Sequence, residues 1–187
     1  DSPLTPSAVK IQRENLKEFE RKHFTDYSVF ELIANRTQFC DDLLKQLWQQ
    51  FELDKANLTL IAVGGYGRQE IFPLSDLDVL ILSKEERESE TEEKIATGNI
   101  GQFTHAHNQY LDDLSKRGIV VGHSVRSLEE CEKEGSQDIT IATNLLESRY
   151  LSGDLSLCNA LGKILKKPDF WAIKPFFDAK VQEQIER

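Results

Sequence analysis

Two short apolar runs do most to limit how this chain can fold: LTLIAV at residues 58–63 and LDVLIL at residues 77–82. Both are aliphatic and β-branched and too short for helices, so they predict two buried strands. Between them the sequence reads GGYGRQEIFPLSD, so the first run stops at Gly64-Gly65 and the second opens with Asp76 and Asp78 around Leu77. Residues two apart on a strand point to the same side. The two carboxylates therefore aim at one point. At ~5 Å and an effective dielectric of ~20 they repel by roughly 3 kcal/mol. A shared proton, a basic side chain or a divalent cation must offset that cost. Hard oxygen ligands with room for water and phosphate suit Mg²⁺.

A glycine pair directly after a buried strand lets the backbone approach a ligand and present N–H groups to an anion. A short helix over YGRQEIF, stopped near Pro73, adds a favourable field for phosphate at its start. Arg68 supplies a charge for the same group. Ser75 either lines this site or closes a turn. One end of the stretch thus suits phosphate and the other suits metal, the combination needed for metal-assisted attack on a nucleoside triphosphate.

Around this centre, residues 8–22 form a modest amphipathic helix. Residues 28–52 form a stronger one, with Phe39, Leu43, Leu44, Leu47, Trp48 and Phe51 on one stripe. The run SKEERESETEEK at residues 83–94 reads as solvated and carries no chemistry. Residues 95–117 read as a helix and GIVVG at residues 118–122 as a third strand, followed by His123, Ser124 and Arg126. Arg126 either contacts phosphate or acceptor, or pairs with an acid on the next helix. His123 reads as structural, and His105 and His107 as surface residues. Ser127 and Glu130 spell a capping box. Asp138 caps a helix over ITIATNLLESRYL, Asp154 caps one over LSLCNALGKIL, and Pro175 opens a last helix. Phe170, Trp171, Phe176 and Phe177 pack those final helices. The expected organisation is an N-terminal helical segment over residues 1–55, a nucleotide-handling core over 56–133, and a C-terminal helical segment over 134–187.

The whole-chain numbers narrow the function. The formal net charge is −9, which argues against a protein that grips nucleic acid through a basic face. It leaves room for a metal-neutralised nucleotide. Cys40, Cys131 and Cys158 are far apart with no C-x-x-C, which predicts reduced thiols in the cytoplasm. No apolar run reaches membrane-span length, and no signal peptide is evident. The 187 residues contain no Met at all, so the chain reads as a piece of something longer.

GGYGRQEIFPLSDLDVLILS resembles the G-G-x-G-R-x-E…S-D-x-D signature of the DNA polymerase β-type nucleotidyltransferase superfamily. VGHSVRSLEEC and DITIATNLLESRYLSGD resemble its uridylyltransferase branch, and the similarity runs over about residues 28–187. The resemblance implies an α+β, polymerase β-like fold: a small mixed sheet with flanking helices plus N- and C-terminal helical segments. It implies transfer of UMP from UTP to a tyrosine of the PII signalling protein in nitrogen regulation, with pyrophosphate released. Asp76 and Asp78 would be catalytic and hold Mg²⁺, one of them taking the acceptor's proton. Gly64, Gly65, Arg68, Ser75 and Arg126 would hold the nucleotide. The branch also carries a deuridylylating HD domain and ACT domains, but this sequence has no adjacent His-Asp and too few residues for either.

Two positions depart from the family pattern. Val120 stands where an acid is common, leaving Asp112, Asp113 or Glu147 as possible substitutes, and Gln69 stands where glycine is preferred. A nucleotide-binding regulatory module without turnover, or a different transferase of the superfamily, therefore stays open.

Overall fold

The computed structural model describes residues 4–55, 57–72, 75–84 and 99–170, with the backbone alone over 99–107. Two helices come first: α1, Pro6–His23, and α2, Val29–Gln50. Thr5 caps α1. Ser28 caps α2 in a reciprocal box with Glu31, so the local chemistry fixes where each helix begins.

Strand β1, Leu58–Ala62, follows. A single helical turn α3, Gly64–Gly67, leads to β2, Leu77–Ser83. Helix α4, Asn99–Lys116, crosses to β3, Val121–Ser127. Then come α5, Leu128–Gln137, and α6, Ile139–Leu146. Strand β4, Arg149–Gly153, and α7, Leu155–Leu165, complete the described elements.

The sheet order is β3-β2-β1-β4. β1 pairs antiparallel with β2 and β4, and β2 pairs parallel with β3, so the expected small mixed sheet is present. β1 is buried along its whole length, as a central strand covered on both faces should be. On one face α1, α2 and α4 bury Leu44, Leu47, Trp48 and Tyr110 against Leu60, Val79 and Ile81. On the other, α5, α6 and α7 bury Cys131, Leu145 and Leu161 against Ile61, Leu80 and Leu82. The alternation along β2 splits between the two faces. Asp78 falls on the α5–α7 face with Leu80 and Leu82.

Three expectations need correction. The third strand begins at Val121 rather than Gly118, because its parallel register starts at Leu77↔Val121. His123, Ser124 and Arg126 thus lie within the strand. The helix capped by Asp138 ends at Leu146 rather than Leu151, and the next residues pair with β1 as β4. The turn after the glycines is helical only to Gly67, because Gln69 takes a left-handed φ of 62° that no helix continues through. The charged run from residue 85, the Pro175 helix, Trp171, Phe176 and Phe177, and the side chains of His105 and His107 lie outside the described residues.

Candidate active site

Antiparallel pairing of β1 with β2 brings the glycine turn to the acids. Ala62 stands opposite Val79, and the Val63 amide donates to the Asp78 carbonyl at 3.0 Å. The chain then turns at Gly64, whose φ of +58° suits glycine. A Cβ built on Gly64 would lie 3.6 Å from Asp78 Oδ2. The first amides of a helical turn have no intrahelical acceptor, so those of α3 open beside a carboxylate.

Asp76 and Asp78 are both exposed at the mouth of the sheet. Burial, and then the Asp76 charge, raise the Asp78 carboxyl above its ordinary value. Among the described residues no cation pairs with either acid. Carboxylates near enough for one charge to act on the other suit a divalent cation such as Mg²⁺.

Arg68 lies beside the turn, its Nη2 3.8 Å from where a Gly65 Cβ would be. Its guanidinium is bound to Glu70 at 2.8 Å and to Glu147 at 2.6 Å. Ser75 closes a turn. Its amide donates to the Phe72 carbonyl at 3.0 Å, and its Oγ accepts from the Phe72 amide at 3.2 Å.

Arg126 is not brought to the acids. It pairs with Glu134, and its partner across the strands is Leu82, whereas Gly122 is the partner of Asp78. At ~3.3 Å per residue about 13 Å of strand separates the two positions.

The register also places Val120, 65% exposed, beside Asp76: the Leu77 amide donates to the Val120 carbonyl at 3.1 Å. Of the suggested substitutes, Asp112 pairs with Lys116, Asp113 with Arg117 and Glu147 with Arg68. Among the described residues no three His, Cys, Asp or Glu side chains gather at one point. On the α1–α2 side, a cleft of roughly 250 Å³ runs from Arg13, Lys17 and Arg36 past Phe39 to Asp76 and Val120.

One contributor went unread in the sequence, and a second, Arg149, which the sequence suggests as a structural partner of Glu147, pairs elsewhere. Asn144 of α6 faces Gly64, its Oδ1 3.5 Å from the built Cβ. Arg149 of β4 grips Asp41 of α2 through bonds of 2.6 and 3.1 Å and donates to the Tyr66 carbonyl at 3.1 Å. Both fall within DITIATNLLESRYLSGD, which points to the family branch but not to these contacts.

A model of the nucleotidyltransferase domain family matches residues 42–140, which take in the glycine turn, both acids and β3. The chain belongs to the nucleotidyltransferase domain family. It is 57% identical over its whole length to a bifunctional uridylyltransferase/uridylyl-removing enzyme of Haemophilus influenzae (strain 86-028NP), covering 20% of that protein. It is 53% identical to the enzyme of the same name from Pasteurella multocida (strain Pm70), again over the whole chain and 20% of the relative. For the Idiomarina loihiensis enzyme of that name the figures are 41% identity, 95% of this chain and 19% of the relative. The chain therefore spans about one fifth of the length of the curated relatives it matches. Among the described residues of this nucleotidyltransferase domain no helix is long and apolar enough to cross a membrane.

Proposed function

We propose that this domain transfers UMP from UTP to a tyrosine hydroxyl of the PII signalling protein in nitrogen regulation, releasing pyrophosphate. The observation that carries the reading is the approach of the Gly64 turn to Asp78, 3.6 Å from built Cβ to carboxylate. The resemblance to the uridylyltransferase branch supplies uracil and PII, and the names of the relatives support uridylyl transfer.

In this reading Asp76 and Asp78 hold Mg²⁺. Bound there, the cation would screen triphosphate charge and polarise the phosphoryl group under attack. The amides of Gly64 and Gly65 hold phosphate oxygens. Arg68 exchanges a carboxylate partner for phosphate. The acceptor oxygen bonds to the α-phosphorus, the bond to pyrophosphate breaks, and the tyrosine proton passes to a carboxylate. The free thiols Cys40, Cys131 and Cys158 fit a reducing, cytoplasmic setting.

The test incubates the chain with Mg²⁺, labelled UTP and PII, beside the Asp76→Ala, Asp78→Ala double variant. Label transfer that disappears in the double variant supports the reading. UTP binding without transfer assigns the chain instead to a regulatory module of the same fold. Transfer that survives the double variant removes the acids from the reaction.

A further inference from the structure

We infer that Asn144 is a substrate-contacting residue of this site, donating its side-chain amide to an oxygen of the transferred phosphoryl group. The inference rests on the nucleotidyl-transfer reading above. It starts from the space over Gly64. A Cβ there would lie 3.5 Å from Asn144 Oδ1 and 3.6 Å from Asp78 Oδ2. Because residue 64 has no side chain, the gap between amide and carboxylate stays open, and a group lying on the glycine backbone touches both walls.

The fold aims Asn144 at this gap. Asp138 caps α6 by accepting from the Thr140 and Ile141 amides, which fixes where the helix starts. Ala142 and Leu145 face the core. Asn144 is thereby turned toward α3, half-buried. Among the described residues its side chain has no hydrogen-bond partner. A half-buried amide left unpaired loses some hydration without an internal replacement, and a ligand in the gap would supply the missing partner.

The chemistry of the opposite wall selects the ligand group. A third carboxylate in place of Asn144 would add to the repulsion between Asp76 and Asp78. A lysine would neutralise the pair and compete with a cation. An amide donates a hydrogen bond without altering the charge. Rotation about χ2 turns Nδ2 to the gap, where a phosphoryl oxygen near a metal-loaded Asp78 would accept from it. Charge on that oxygen shifts during transfer, so a neutral donor there stabilises the reacting state without binding a cation itself.

The experiment uses Asn144→Ala and the isosteric Asn144→Asp. Equilibrium binding of UTP with Mg²⁺, binding of Mg²⁺ alone, thermal stability and UMP transfer are all measured. Alanine is a better helix former than asparagine, so the first variant should fold. The expected result is roughly five- to tenfold weaker UTP binding in Asn144→Ala with Mg²⁺ binding unchanged. Asn144→Asp should lose more, because an acceptor then faces the phosphate oxygen. Transfer should fall further than binding in both variants. UTP binding and transfer equal to the parent chain in either variant overturn the inference, as does a loss in Asn144→Ala that tracks unfolding while Asn144→Asp stays fully active. If the parent chain binds no UTP, or binds it independently of Asp76 and Asp78, the nucleotidyl-transfer reading itself fails and this inference falls with it.

Discussion

Gly122 of β3 lies directly against Asp78 of β2: a Cβ at position 122 would stand 2.4 Å from Asp78 Oδ1. The two residues are partners in the parallel register. Gly122→Ala must therefore rotate the Asp78 carboxylate away from its position beside Gly64. The obstacle is the end of a side chain rather than backbone, so the fold should tolerate it, with a Tm change within about 2 °C. Mg²⁺-dependent UTP binding and UMP transfer should fall by about tenfold or more. Calorimetry and a transfer assay on the same preparation check both halves.

Asp78 makes the metal-free protein sensitive to pH. Burial and the Asp76 charge hold its carboxyl above the ordinary value, so ionisation is harder folded than unfolded. The stability contributed by the protonated form is complete below the unfolded carboxylate range and is lost as pH rises through the raised folded value. Asp78→Asn removes that loss. Without metal at pH 7 its Tm should exceed that of the parent by ~1–3 °C, a small effect because solvent screens a largely exposed group. The gap should close toward pH 3, and transfer should be lost throughout. Thermal scans between pH 3 and pH 8 with a chelator follow the difference.

Val120, the residue just before β3, neighbours Asp76, with an apolar and exposed side chain. A carboxylate there would complete a three-oxygen corner with Asp76 and Asp78. Val120→Glu is expected to tighten Mg²⁺ binding about tenfold. The metal-free chain should lose stability, since a third negative charge joins two that already repel. Titration calorimetry with Mg²⁺, set beside urea unfolding in chelator, separates the gain from the cost.

Much of this site could be read before the fold was seen, because its determinants are local. Ser28, Ser127, Asp138 and Asp154 cap helices through bonds to amides two or three residues away. The apolar runs at 58–63 and 77–82 needed no partner to declare themselves strands. The errors arose where a distant partner decides. LLESRYL continues a helical pattern, yet its second half pairs with β1, and Gly153 at φ 93° fits closely against the Leu58 carbonyl. GIVVG looks like a strand, but Val120 is exposed and the ladder starts one residue later. Arg126 had two readings, and it pairs with Glu134 on the next helix. Asn144 lies inside DITIATNLLESRYLSGD, yet only the packing of α6 against the glycine turn brings it near Asp78.

Gln69 takes a left-handed φ of 62°, a conformation that favours glycine. A side chain in the left-handed region is strained by roughly 1–2 kcal/mol. Part of that relief is cancelled when glycine loosens the unfolded chain. Gln69→Gly should therefore stabilise the protein by about 0.5–1 kcal/mol in urea unfolding, with UTP binding unchanged.

Arg149 ties the glycine turn to the body of the protein. Its fork holds both oxygens of buried Asp41 and the Tyr66 carbonyl, and its guanidinium carbon lies 5.3 Å from the Tyr66 ring centroid. Burial first, then the Asp41 charge, pushes the Tyr66 phenol above its ordinary range, so it stays protonated within this cluster. Arg149→Met would leave the Asp41 carboxylate buried without a counter-charge and should cost about 3–5 kcal/mol. Adding Asp41→Leu should recover much of that loss, because an apolar pair replaces a broken ionic one. Arg149→Lys keeps the charge but cannot grip two carboxylate oxygens and a carbonyl together. It should cost ~1–2 kcal/mol and loosen the turn that carries Gly64 and Gly65. UTP affinity would then fall while Mg²⁺ affinity holds, since Asp76 and Asp78 sit on the other arm of the hairpin. Urea unfolding of the three variants, with UTP and Mg²⁺ titrations of Arg149→Lys, decides whether this contact only stabilises the fold or also sets the shape of the phosphate cradle.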